Sequence, residues 1–140
     1  MSQQLPTWDV LTVRAESYYK MAEVALDSGD ENLIQNALEN MHFALELSMK
    51  AAITRNGGSY PSYGRRGHDL AEIVLCKFAD GTTSILRKAK LDKVPEKVNV
   101  GLSAWSMDCR YIVVESHPDM NSAILAYKEL YLWIKESLLK

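Results

Sequence analysis

Most of the features that mark a specialised class of protein are scarce or missing in this sequence. Two cysteines in 140 residues, Cys76 and Cys109, are too few for a disulfide scaffold. Both lie in apolar contexts and read as buried, reduced thiols. The first residues, "MSQQLPTWDVLTVRAESYYK", have no basic start followed by an apolar run, so a secretory leader is not expected. No run of 18 consecutive apolar residues occurs, so no membrane span is expected, and the cytoplasm is the expected location. Neither sign of charge predominates: the formal net charge is −2. No overall field draws the chain to nucleic acid or to a membrane, and any such contact has to come from a local patch. No segment alternates apolar and polar residues with period two, which removes the usual signal of a strand. Internal repeats, low-complexity tracts and long linkers are also missing, which predicts one domain over residues 1–140 with a core over about 8–138. The hydrophobic fraction of 47% is enough to build that core.

What is present is helical periodicity broken by short turns. The first helix is expected over about Trp8 to Ser28, with Trp8, Leu11, Ala15, Tyr18, Ala22 and Leu26 spaced by three or four along one face. In "DSGDEN", Gly29 suits the left-handed conformation after a helix and Asp30 suits a cap for the next. The second helix, about Glu31 to Arg55, carries Leu33, Ala37, Met41, Leu45, Ser48 and Ala52 and stops at Asn56-Gly57-Gly58. So short a turn predicts that the two helices lie antiparallel. Residues 57–68, "GGSYPSYGRRGH", form a loop. Short helices are expected over Asp69–Phe78 and Thr83–Lys90, and a longer one from Pro95 to about Ser116. Pro118 disfavours helical geometry at His117, so that helix is expected to end there. Asp119 then caps a last helix over about Met120 to Leu139, with Ile124, Tyr127, Tyr131, Ile134 and Leu138 inward. The expected fold is all-α, an up-and-down bundle.

Three groups of residues suggest chemistry. Glu39 and His42 form one Glu-x-x-His pair, but neither His68 nor His117 has a glutamate three residues before it. Half the ligand set of a carboxylate-bridged metal site is therefore missing, and no metal or other cofactor is expected. His42 is expected at the edge of the apolar seam, bonded to Glu46 one turn on. In the loop, Arg65, Arg66 and His68 stand among glycines and tyrosines, a combination suited to phosphate contacts in nucleotide or RNA. No glycine-rich turn ending in Gly-Lys-Ser/Thr precedes a helix there, so it is not a P-loop. A solvated polar loop has the same composition. The run Arg87 to Lys97 holds five cations against two acids, which suits either a nucleic-acid backbone or an exposed, soluble connection. Finally, Arg110 and His117 are seven residues apart. On one helix they would be offset by only about 20°, beside the seam of Val98, Leu102, Trp105, Cys109 and Ile112. Metal-free RNA cleavage has a use for that pair: histidine moves the proton, and arginine holds the phosphate.

Four segments appear in an order that resembles one family. They are "SYYKMAEVAL" in the first helix, "MHFALELSMKAAI" in the second, "GHDL" after the loop, and "WSMDCRY" late in the chain. The chain resembles HEPN domains over about residues 8 to 138, with "FALELSMKA" followed by "GHDL" the most specific part. The resemblance implies a four- to five-helix bundle, usually a homodimer. The apolar flanks of the last two helices agree with a dimer. It also implies a minimal nucleotidyltransferase as partner in a toxin–antitoxin or defence pair. Active members are metal-independent endoribonucleases with an arginine and a histidine separated by four to six residues. Arg110 and His117, with six residues between them, match at the upper limit. In active members the residue after the arginine is typically asparagine, aspartate or histidine, whereas here it is Tyr111. "RY" resembles the branch without the nuclease signature, in which these two residues are structural or touch a ligand. The expectation is thus a module that binds nucleotide or RNA, or a nucleotidyltransferase, through Arg65, Arg66, His68 and Tyr111. The alternative is a ribonuclease using Arg110 and His117.

Overall fold

The computed structural model describes residues 7–60 and 117–139. Every regular element among them is helical, with no strand. They are α1 (Trp8–Asp27), a single 3₁₀ turn (Glu31–Leu33), α2 (Ile34–Arg55) and α3 (His117–Leu138). The helices expected over 69–78, 83–90 and 95–116 lie outside the described residues, as do Cys76, Cys109 and the Arg87–Lys97 run.

The turn between α1 and α2 follows from its composition. Gly29 takes φ +68°, which an L side chain resists, and its N–H donates to the Leu26 carbonyl. The Asp30 carboxylate then accepts from the Asn32 backbone N–H at 2.9 Å. This cap opens the 3₁₀ turn rather than the α-helix itself, so α2 starts at Ile34 and not at Glu31. At the far end, Gly57 (φ +77°) donates to Thr54 O and Gly58 donates to Ile53 O. That pair of bonds is a Schellman motif, and it satisfies carbonyls that the helix end would leave unpaired.

Contacts along the helices fix their directions. Trp8 at the start of α1 meets Arg55 at the end of α2, and Tyr18 meets Phe43 midway, so α1 and α2 are antiparallel. His42 meets Tyr127, and Arg55 donates to the Leu138 carbonyl at 3.0 Å, so α2 and α3 run parallel.

α2 lies at the centre. Leu38, Met41, Leu45, Met49 and Ile53 are fully buried on it and pack with Ala22 of α1 and with Ala123, Tyr127 and Ile134 of α3. Burying each of the larger side chains stabilises the fold by about 1.5–3 kcal/mol before conformational entropy is counted. The expected inward residues of α3 from Ile124 to Ile134 are buried, and so are Leu11, Ala15 and Ala22 of α1. Trp8 is not: the residue is 37% exposed, with the Arg55 guanidinium 4.8 Å from its ring centroid.

α3 also begins differently from expectation. It opens at His117, with Pro118 in its first turn, and not at Met120. Proline restrains the residue before it, but it also fits the first helical turn, where its missing N–H costs nothing. The second effect decides here. Among the described residues, no helix is long and apolar enough to cross a membrane.

Candidate functional site

α2 carries a polar stripe inside the core. Gln35, Glu39, His42, Glu46 and Lys50 recur every three or four residues and so share one side of the helix. His42, Glu46 and Lys50 are buried; Gln35 and Glu39 are half-buried. The Lys50 ammonium donates to the Glu46 carboxylate at 3.1 Å, with both side chains less than one-tenth exposed. The ring of Tyr60 lies against the same ammonium, 5.2 Å from Nζ to the centroid. To reach it, the chain turns at Gly57 and doubles back along α2.

Environment sets the protonation of this group. Burial raises the Tyr60 phenol above its ordinary value, and the Glu46 charge adds to the effect. The phenol thus stays neutral beside the ion pair. Burial also raises the Glu39 carboxyl, while the hydrogen bond from Gln35 (3.3 Å) pulls the other way. His42 sits edge-on to both Phe43 and Tyr127. Among the described residues, no three His, Cys, Asp or Glu side chains gather to hold a metal ion.

A second polar seam joins α1 and α3. Tyr19 stacks on Tyr131 with centroids 4.6 Å apart, flanked by Lys128–Glu23 (3.6 Å) and Lys135–Glu16 (4.0 Å). Burial drives both phenols upward, Tyr131 to about 12 with help from the Glu16 charge. Its ion pairs are half-exposed and each contributes at most about 1 kcal/mol.

An open groove of about 430 Å³ lies along α1. Ser17, Lys20, Met21, Val24 and Ala25 of α1 line it, with Leu33 and Asn40 beside them. The polar stripe reaches Tyr60 through Lys50. Arg65 follows five residues later and His68 eight.

Arg65, Arg66, His68, Arg110 and Tyr111 lie outside the described residues. His117 is placed by its backbone, at the first position of α3. Glu46, Lys50 and Tyr60 were not anticipated as a cluster. A signal for the first two was available: a glutamate four residues before a lysine, inside an otherwise apolar seam. Comparison of the chain with protein-family models, curated proteins and solved structures gives no match in any of the three.

Proposed function

We propose that this chain is a HEPN-type module, a dimeric up-and-down bundle of four to five helices that binds nucleotide or RNA. Its ligand contacts are Arg65, Arg66 and His68 of the loop, together with Tyr111. It works in the cytoplasm beside a minimal nucleotidyltransferase, in a toxin–antitoxin or defence pair.

One observation carries the reading. The segment most specific to the resemblance, Phe43 to Ala51, is the middle of the central helix, and its Glu46–Lys50 pair holds Tyr60 just before the cationic loop. A buried ion pair is no more stable than a well-packed apolar pair, so stability alone gives no reason for it. Anchoring the start of a phosphate-contacting loop does. Two arginines and a histidine on a loop with a fixed origin can meet phosphate oxygens with less ordering cost than on a free one.

Isothermal titration calorimetry with ATP and GTP tests the ligand class. Binding with a dissociation constant in the micromolar to millimolar range, weakened at least about tenfold by Arg65→Ala with Arg66→Ala, is expected for contacts of this kind. No heat at millimolar nucleotide removes the nucleotide reading and leaves RNA as the ligand to test.

A further inference from the structure

Three residues of α1 meet three of α3 across their seam. Glu16, Tyr19 and Glu23 are spaced by three and four residues, and so are Lys128, Tyr131 and Lys135. The two helices run in opposite directions, so Glu23 meets Lys128 at one end and Glu16 meets Lys135 at the other. Between these ion pairs the two tyrosine rings lie face to face, with centroids 4.6 Å apart and planes 25° from parallel. The other tyrosines of the core meet their neighbours differently. Tyr18 is tilted by 44° to Phe43, and Tyr127 stands at 80° to His42. Stacking alone is an ordinary way for aromatic rings to pack. Here both rings are phenols, and a proton acceptor stands beside one of them.

A phenol gives up an electron readily only if its proton leaves at the same time. At Tyr19 the surroundings require this. The Lys128 ammonium lies 6.0 Å from the ring centroid and opposes a bare positive charge on the ring. The Glu23 carboxylate is the hydrogen-bond acceptor of the Tyr19 phenol and can take the proton as the electron goes. The phenoxyl radical left behind is neutral and suits a partly buried site. Its unpaired electron resides in part on the ring carbons next to the C–O carbon, in orbitals perpendicular to the ring. Face-to-face stacking aims those orbitals at the neighbouring ring, whereas an edge contact does not. Tyr131 is buried, but an electron crosses a 4.6 Å stack, so the oxidant needs to reach only Tyr19.

We propose that Tyr19 and Tyr131 are an oxidative modification site, at which one-electron oxidants form a dityrosine link between α1 and α3. Each tyrosine gives one electron to an oxidant such as the carbonate radical anion, which is reduced to carbonate. Each also loses its phenol proton, Tyr19 to the Glu23 carboxylate and Tyr131 to solvent. The two radicals join through a carbon–carbon bond between their ortho positions. The hydrogen on each of those carbons then moves to the phenol oxygen, which restores both rings. The product has lost two hydrogen atoms, and two oxidant molecules have each gained an electron. The link closes the chain from residue 19 to residue 131, a constraint that stabilises the fold by restricting the unfolded chain.

Photolysis of tris(bipyridyl)ruthenium(II) with persulfate supplies a one-electron oxidant to the dilute full chain. The fraction that keeps monomer mass on a denaturing gel is then digested, and its linked peptides are identified by mass. The chain has seven tyrosines, so unguided coupling scatters over many pairs. The expected result is blue dityrosine fluorescence in that fraction, with the Tyr19 and Tyr131 peptides joined, two hydrogen atoms lighter, as the main link. Tyr19→Phe and Tyr131→Phe each keep a ring in the stack and are expected to lose the link, while Tyr18→Phe keeps it. Glu23→Gln still accepts the hydrogen bond but cannot take the proton, and the rate of linking is expected to fall at least about tenfold. In urea the wild-type link is expected to drop to the level of other pairs. Should a variant fail to fold, peptide mapping of the folded wild type decides the matter. Links spread over other tyrosines in the native monomer, or no link, overturn the proposal. An unchanged rate in Glu23→Gln overturns proton transfer to that carboxylate.

Discussion

At the scale of single residues, the energetics turn on charges taken out of water. Lys50 and Glu46 neutralise each other inside the core, and neither charge is tolerable there without the other. Lys50→Ala is expected to cost about 3 kcal/mol or more, because the Glu46 carboxylate loses its ammonium. Lys50→Met combined with Glu46→Leu is expected to recover most of that loss, and urea denaturation of the three proteins measures it. If the double variant falls as far as the single one, packing and not charge governs the site. Glu39 gives a pH test. Its folded carboxyl titrates above the ordinary carboxylate range, so the folded state binds the proton more tightly than the unfolded chain. Stability is therefore greatest below about pH 4 for this group and declines as pH rises through the folded value. Glu39→Gln removes that decline, so the variant is expected to be more stable than the wild type at neutral pH. Denaturation midpoints from pH 3 to 8 would count against this if the two proteins shared one slope.

At the scale of elements, turn chemistry sets where the helices stop. Gly29 has no atom within 4 Å of where a Cβ would stand, so only its φ of +68° resists substitution. Gly29→Ala is expected to cost about 1 kcal/mol and Gly29→Asn less, since asparagine tolerates the left-handed region better. A thermal denaturation series checks the order. Much of this level was legible in the sequence. Gly29, Asp30 and Asn56-Gly57-Gly58 each marked the break they make, and the seam from Ile124 to Ile134 is the buried face of α3. The misreadings share a cause, because one residue type can carry two signals. Asp30 caps a 3₁₀ turn as readily as an α-helix. Pro118 restrains His117, yet it also suits the opening turn of α3. The Glu46–Lys50–Tyr60 cluster was hidden for another reason: periodicity counts apolar residues inward, and two charges that cancel in the core look like an exposed face. The arginine–histidine reading needs one helix to carry both residues; α3 includes His117, and Arg110 lies outside the described residues.

At the scale of the whole molecule, α2 is the element on which the other two described helices depend. Arg55 gathers three helix ends, stacking on Trp8 of α1 and donating to Leu138 O of α3 from the last position of α2. Arg55→Ala is expected to cost about 1 kcal/mol and to speed amide exchange in the last turn of α3. The same frame holds Tyr60, which stands five residues before Arg65 in the sequence, and the proposed function builds on that contact. The most direct measurement is a fluorescence anisotropy titration of a labelled single-stranded RNA with the full chain in EDTA, with the RNA run on a gel afterwards. Saturable, salt-sensitive binding that Arg65→Ala with Arg66→Ala weakens is expected, with the RNA recovered intact. No binding by the wild type, or binding that the double variant leaves unchanged, would contradict it. RNA cut by the wild type and spared by Arg110→Ala and His117→Ala would replace a binding module with a ribonuclease.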